Sequence, residues 1–363
     1  MLRAMWPDRR LLDLFGIDAP ILLAPMAGVM DVELAIAAAR GGALGSLPAA
    51  MISPAKLREQ VTAFRARLGE AAPLNLNFFS HVPVAPDPVR AATWKERLLP
   101  HYVALGLDPT APVTAASRAP FDEPACALVE ELRPRVVSFH FGLPEKALLD
   151  RVKAAGCVVI SSATTVNEAT WLADRGVDAV IAQGAEAGGH RGMFLTDDPS
   201  AQPGTFALVP QVVDAVRVPV IAAGGITDAR GIVAAFALGA AAVQIGTAYL
   251  RCPETTIGPA HRVALAEARD DSTVITNVLS GRPARGIRNA IVRELGPIAP
   301  DAPEFPHAST ALAPLRTAAE KNGSTDFTPL WAGQSVHLAR EMPATELTQS
   351  LASAALSALS RSG

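Results

Sequence analysis

Short apolar runs recur along this chain, and most of them lead into a small-residue loop and then an amphipathic or alanine-rich stretch. Eight can be counted: Pro20–Ala24, Ala43–Leu47, Leu74–Phe78, Val136–Phe141, Cys157–Ser161, Ala179–Ala182, Val218–Ala223 and Ala241–Ile245. They are nearly continuous in Val, Ile, Leu and Ala rather than alternating, the pattern of strands buried on both faces of a parallel sheet. Between them the pattern predicts helices over Pro54–Leu68, Glu145–Ala155, Val166–Asp174 and Asp228–Leu238. Strand–helix alternation implies a parallel sheet covered by helices. Eight repeats predict that this α/β fold closes into a (β/α)8 TIM barrel rather than staying open.

Two stretches break the alternation. Residues 79–135 carry the proline-rich HVPVAPDPV and the helix-like FDEPACALVEEL, and beyond residue 252 the pattern turns helical and irregular, ending in an Ala/Ser/Leu helix over Thr345–Leu359. Long connections in compact domains usually serve binding, so both are expected to cover the barrel mouth. The division expected is a barrel over 1–252, with an insertion at about 79–135, and a mostly helical covering region over 253–363. Residues 231–250, GIVAAFALGAAAVQIGTAYL, hold no charge for twenty residues and are long enough to cross a bilayer. Gly239 inside the run, and Gln244, Gly246 and Thr247 near its end, favour a buried helix followed by a buried strand.

Composition narrows the function. Lys plus Arg number 32 against 35 Asp plus Glu, a formal net charge of −3, and aromatics are 5%. Nucleic-acid binding wants clustered positive charge and stacking surfaces, and neither is expected here. Cys126, Cys157 and Cys252 are far apart and match no zinc spacing, so no metal site is expected. An odd, sparse set reads as reduced thiols, and the charged start MLRAMWPDRRLLDLFG does not read as an export signal. A cytoplasmic protein with no membrane partner is expected, and a homodimer is compatible.

In such barrels the active site lies at the C-terminal ends of the strands. Reading off those ends yields Ala24, Pro25 and Met26, then Asn77, His140, the run from Gln183 to His190, Gly224 with Gly225, and Gln244, Ile245, Gly246 and Thr247. Glycines after the seventh and eighth strands permit close backbone approach, with Thr227 or Asp228 placed to cap the next helix. Barrels frequently hold phosphate on these two loops, so a phosphate site is expected there. In QGAEAGGHRG, Gly188 and Gly189 can turn His190 toward the barrel axis, where a neutral imidazole moves protons near neutral pH. His140 reads as a hydrogen-bonded wall or a proton-transfer group. Asn77 could read a heterocycle's amide edge or satisfy neighbouring backbone, and Met26 could pack or face a flat ring.

The chain resembles the nitronate monooxygenase family, once called 2-nitropropane dioxygenases. The motifs are PILLAPMAG at 20–28, PLNLNFF at 73–79, VSFHFG at 137–142, QGAEAGGHRG at 183–192, GTFALVPQVVDAV at 204–216, PVIAAGGITD at 219–228, QIGTAYL at 244–250, SGRPARG at 280–286 and LWAGQS at 330–335. The resemblance implies FMN, with contacts at Asn77, Gln183, Gly188, Gly225 and the run Gln244, Ile245, Gly246 and Thr247. Ala24, Pro25, Met26, Gly189 and Gly224 are expected at the same cofactor rim. It makes His190 the active-site histidine, with Met26 and His140 lining the site, and implies that a nitronate, or its parent nitroalkane, and O2 give a carbonyl compound and nitrite.

One segment departs from the family pattern. Where relatives acting on propionate 3-nitronate carry tyrosines and a lysine, FPHASTALAPL holds Phe305, Ser309 and Ala313. Phe305 and Ser309 are expected to line the substrate side, and anionic substrates to bind weakly. The alternative function is an NAD(P)H-dependent flavin reductase of quinones or enoyl thioesters on the same barrel, which needs no separate G-x-G-x-x-G unit. A purine-nucleotide dehydrogenase would want a cysteine after the sixth strand, and none falls between 158 and 251. A flavin-binding regulatory or storage protein is the non-catalytic reading.

Overall fold

A computed structural model describes residues 2–113 and 118–362. Its strands, in chain order, are β1 (Ile21–Leu23), β2 (Gly45–Leu47), β3 (Leu74–Phe79), β4 (Val136–His140), β5 (Val158–Ala163), β6 (Ala179–Gln183), β7 (Gly189–His190), β8 (Val220–Ala223), β9 (Ala242–Ile245), β10 (Thr273–Thr276) and β11 (Ala284–Ile287). Eight are parallel, in the order β1-β9-β8-β6-β5-β4-β3-β2. A parallel bridge from Leu22 to Leu44 sets β1 beside the chain entering β2 and closes the ring. The result is the expected (β/α)8 barrel. Its strands are buried almost throughout, which is why they read as unbroken apolar runs.

The outer helices start where the sequence supplies caps. Ser53, Asp122, Thr165 and Asp228 each accept a backbone N–H at the start of the helices Pro54–Leu68, Glu123–Leu132, Val166–Asp174 and Ala229–Ala237, as short polar side chains do at N-caps. Helix Glu123–Leu132 buries Cys126, Leu128 and Val129 in the barrel's main core. It therefore belongs to the ring, and the mouth insertion stops short of it. The uncharged run 231–250 divides into most of helix Ala229–Ala237, a turn, β9 and the short helix Thr247–Leu250. Among the described residues no helix is long and apolar enough to cross a membrane.

The last helix, Ala344–Ser362, departs from its expected place at the mouth. It packs on helices Val32–Arg40 and Ala229–Ala237, and Leu347, Leu351, Ala355 and Leu356 join the main core. Tyr249 and Thr348 hydroxyls meet at 2.7 Å, and Thr345 donates to the Ala37 carbonyl at 2.8 Å. This helix occupies the position that follows the eighth barrel strand, so residues 251–343 form a long excursion between the last strand and the last helix of the barrel.

That excursion folds against the insertion after β3. Trp94, Leu98 and Tyr102 of helix Pro88–Ala104 share a second core with Val278, Leu279, Ile291, Leu312, Leu315 and Phe327. Trp94 Nε1 donates to Ala308 and the Tyr102 hydroxyl to Ala311, at 3.2 and 2.6 Å. Removing a fully buried side chain of Trp94's size typically costs about 3–5 kcal/mol, so the two irregular stretches stand or fall together. Beneath them β10, β11 and β7 form a small antiparallel sheet that pairs His190 with Ala284 and Gly189 with Arg285.

Candidate active site

The barrel mouth encloses a cavity of about 270 Å³, near the low end, about 300 Å³, for sites that take a small ligand. Its wall takes Ala24, Pro25 and Met26 from the end of β1, Asn77 from β3, His140 from β4, and Gln183, Gly188, Gly189 and His190 from β6 onward. Gly224, Gly225, Gln244, Gly246 and Thr247 complete it from β8 and β9. Ile245 does not line the cavity. Only 1% exposed, it sits in the main core, on the opposite face of β9 from Gln244. Phe305 stands behind the wall, packed on the His190, His81, Phe79 and Phe141 rings. Ser309 gives its hydroxyl to the Pro306 carbonyl at 2.7 Å and also lies outside the wall.

At the β6 rim the backbone turn is held by side-chain hydrogen bonds. Gly189, at φ +75°, turns the chain, and the His190 carbonyl then accepts from Gln183 Nε2 at 3.0 Å and His140 Nε2 at 3.1 Å. Gln183 Oε1 accepts the Gly192 N–H at 2.7 Å, so the Gln183 amide clamps the loop at both ends. Because a carbonyl can only accept, His140 carries its proton on Nε2, and its Nδ1 accepts from Ser162 at 2.6 Å. Arg191, wholly buried, donates to Gln202, Gly184 and Gln183 oxygens, each at 2.7 Å. Burial lowers its pKa to about 10.

The His190 ring bonds through Nε2 to Ser280 Oγ at 2.8 Å, and Ser280 in turn donates to the Arg282 carbonyl at 3.2 Å. With the serine proton on Arg282, His190 is the donor at Nε2, and its Nδ1 lone pair has no protein partner among the described residues. Burial first, then the Arg118 charge, holds its pKa well below the ordinary 6.5. His140 is lowered to about 4, chiefly by burial. Both imidazoles are neutral at physiological pH, and His190 is the one placed to accept a proton.

The β8 and β9 rims are the reverse. Gly224 and Gly225 take φ of +116° and +69°, and a Cβ on Gly224 would lie 2.8 Å from Thr205 Oγ1 and 3.0 Å from the Ala187 nitrogen. The N–H groups of Gly224, Gly225, Gly246 and Thr247 donate to no acceptor among the described residues, and the buried Gln244 Oε1 has no partner either. A buried, unpaired oxygen such as that of Gln244 is costly and rare in proteins. Asp228 caps helix Ala229–Ala237, whereas Thr227 bonds Ser335, so at the β8 rim the free backbone N–H groups precede the helix, and at the β9 rim Thr247 opens the short helix Thr247–Leu250. The donor set suits an anionic oxygen cluster such as a phosphate, and Gln244 suits a polar ring edge.

The family model for nitronate monooxygenase matches residues 8–354. The chain belongs to the nitronate monooxygenase family. It is 41% identical over 341 residues to a nitronate monooxygenase of Pseudomonas aeruginosa, covering 93% of this chain and 96% of that protein. Its structure is similar to that of a nitroalkane oxidase from Streptomyces ansochromogenes, with a TM-score of 0.88, 34% identity, and 98% and 100% of the two chains covered. FabK from Thermotoga maritima is more distant, at a TM-score of 0.70 and 26% identity over 97% of each chain. Membership makes this chain a flavin-dependent oxidoreductase that acts on nitronates.

The cavity is finished by residues that sequence reasoning left without a role. The LWAGQS strap crosses the mouth: Gly333 N donates to Thr247 Oγ1 at 2.9 Å, Gln334 N to the Glu186 carbonyl at 3.0 Å, and Ser335 meets Thr227 at 2.5 Å. A Cβ on Gly188 would lie 2.6 Å from the Ala332 carbonyl carbon, so this glycine admits the strap. Ser280 was visible only as part of SGRPARG, and a serine ninety residues from its histidine gives no local signal. Arg118 lies in the insertion, where no periodicity points inward, and it lines the cavity with Arg316. Among the described residues no Asp or Glu lines that wall, which makes the site cationic.

Proposed function

We propose that this chain is an FMN-dependent enzyme that oxidises alkyl nitronates with molecular oxygen to a carbonyl compound and nitrite. Neutral nitroalkanes enter where His190 removes their acidic proton. The observation that carries the reading is one cavity that joins four unpaired backbone N–H groups on the β8 and β9 rims to a histidine kept neutral at the β6 rim. The N–H groups of Gly224, Gly225, Gly246 and Thr247 would hold the FMN phosphate. Gln244 and Asn77 would meet the polar edge of the ring, and Met26 its face. When bound, FMN supplies the redox chemistry between nitronate and oxygen, while the protein positions and tunes it.

The protein's own part is proton handling and orientation. His190 Nδ1 accepts the α-proton of a nitroalkane, and the positive charge it then carries stays beside the nitronate formed. Gln183 and His140 hold the His190 backbone through its carbonyl, and Ser280 sets the tautomer. The nitroalkane oxidase with the similar structure supports nitroalkanes as substrates. Three free, buried cysteines, with Cys157 and Cys252 thiols pushed up to about 11 and 12 by burial, suit a reducing compartment such as the cytoplasm.

The test is to purify the protein, extract and identify its yellow cofactor, and assay nitrite after adding ethyl nitronate under air. Stoichiometric FMN and sustained nitrite release are expected. A colourless protein that refuses added FMN would end the proposal. Anaerobic bleaching by NADH without nitrite release would replace it with the reductase reading.

A further inference from the structure

Arg118 is the one cavity-lining cation without a counter-charge among the described residues. Its Nε is buried and has no hydrogen-bond partner, and its guanidinium lies over the Phe305 ring, with Cζ 5.6 Å from the ring centre. Arg316, from helix Ala308–Lys321, faces the same cavity but is paired with Glu320 at 2.7 Å and is half exposed. A largely buried guanidinium without a carboxylate partner among the described residues is costly to maintain, and a cluster of two arginines around one cavity is costlier.

The position of Arg118 says which part of a ligand it would meet. His190 packs on the same Phe305 ring, 5.4 Å between centres, and both side chains line the one cavity, so groups held by Arg118 and His190 belong to one short molecule. The phosphate donors are elsewhere, on the β8 and β9 rims. Ala313 borders a separate outer groove with Leu107 and Lys321. The charge facing the cavity therefore comes from the insertion, not from that helix position.

We propose that Arg118 is a specificity-determining residue that binds a second anionic group, of the carboxylate class, on the nitronate substrate. This rests on the reading of the cavity as a nitronate-oxidising site. An anion on Arg118 also neutralises the charge that disfavours protonated His190, so carboxylate binding and proton acceptance support each other. Arg316 adds a weaker, half-solvated charge at the rim.

The experiment compares the flavin-loaded wild type with Arg118→Met and Arg118→Lys. Succinate and succinamate, which differ by one carboxylate, are titrated while flavin absorbance is followed. Wild type is expected to prefer succinate by about 10- to 100-fold, the range of a charge-assisted hydrogen bond. Arg118→Met should bring that ratio near one at unchanged flavin content, and Arg118→Lys should restore part of it. In turnover, kcat/KM for propionate 3-nitronate should fall by a similar factor and that for propyl 1-nitronate should stay. An unchanged ratio, equal losses on both nitronates, or loss of flavin from Arg118→Met would overturn the assignment. The titration needs no turnover, so succinate preference through Arg118 in a protein that releases no nitrite would sink the nitronate reading alone.

Discussion

The two sides of the barrel mouth are built on opposite principles. At the β6 rim, Gln183, His140, Ser162, Arg191 and Ser280 satisfy one another and leave only the Nδ1 of His190 open. At the β8 and β9 rims, four N–H groups and Gln244 Oε1 are left unpaired by the described residues. A satisfied network holds a reacting group in one geometry. An unsatisfied one leaves donors and an acceptor free to meet a ligand. The difference teaches that the first side is preorganised for chemistry and the second is a cofactor seat.

The harshest way to break this contrast is to fill the seat. Gly224→Val adds a Cβ against Thr205 Oγ1 and the Ala187 nitrogen at φ +116°, which costs about 1–3 kcal/mol in overpacking and a similar amount in backbone strain. The expected product is a folded barrel that purifies colourless. Full flavin occupancy in this variant would show that the loop is not the seat.

Next comes the preorganised side. His190→Asn is expected to retain flavin and to lose nitroalkane turnover by about 10²–10⁴-fold, the usual worth of a general base, with preformed nitronates affected less. Equal and negligible losses on both substrates would remove the imidazole from the mechanism.

Acid sharpens the same comparison more gently. His81, His140 and His261 are each lowered from 6.5 to about 4, mainly by burial, and burial also holds His190 well below its ordinary value. The unfolded chain therefore binds more protons than the folded one between those values, and stability rises with pH there. Thermal melts should be flat above pH 6.5 and fall progressively as pH drops toward 4. A midpoint insensitive to pH across that window would mean that the cluster charges freely in the fold.

The smallest effect expected is on the strap. Ser335→Ala removes one hydroxyl contact with Thr227, worth about 1 kcal/mol. It should raise the FMN dissociation constant a few-fold without altering the His190-dependent step, readable by fluorescence of released flavin.

Much of this was legible along the chain. The eight apolar runs, the cap Asp228, and the glycines after the last two barrel strands are local features, because a strand buried on both faces and a capped helix each write their requirement into consecutive residues. His190 and Gln244 could be found by counting to strand ends. Other features lay in pairings between distant segments. The closing helix of the ring comes from residues 344–362, its eighth place vacated by a ninety-residue excursion. Ser280 reaches His190, the strap ties Thr247 to Gly333, and Arg118 comes inward from an irregular insertion. The amino-acid order alone determined the barrel and the positions its strand ends could offer, since burial and chain reversal are satisfied locally. Which of those positions became a sealed network and which an open seat was decided by tertiary structure, because a hydrogen bond exists only once folding brings its two halves together.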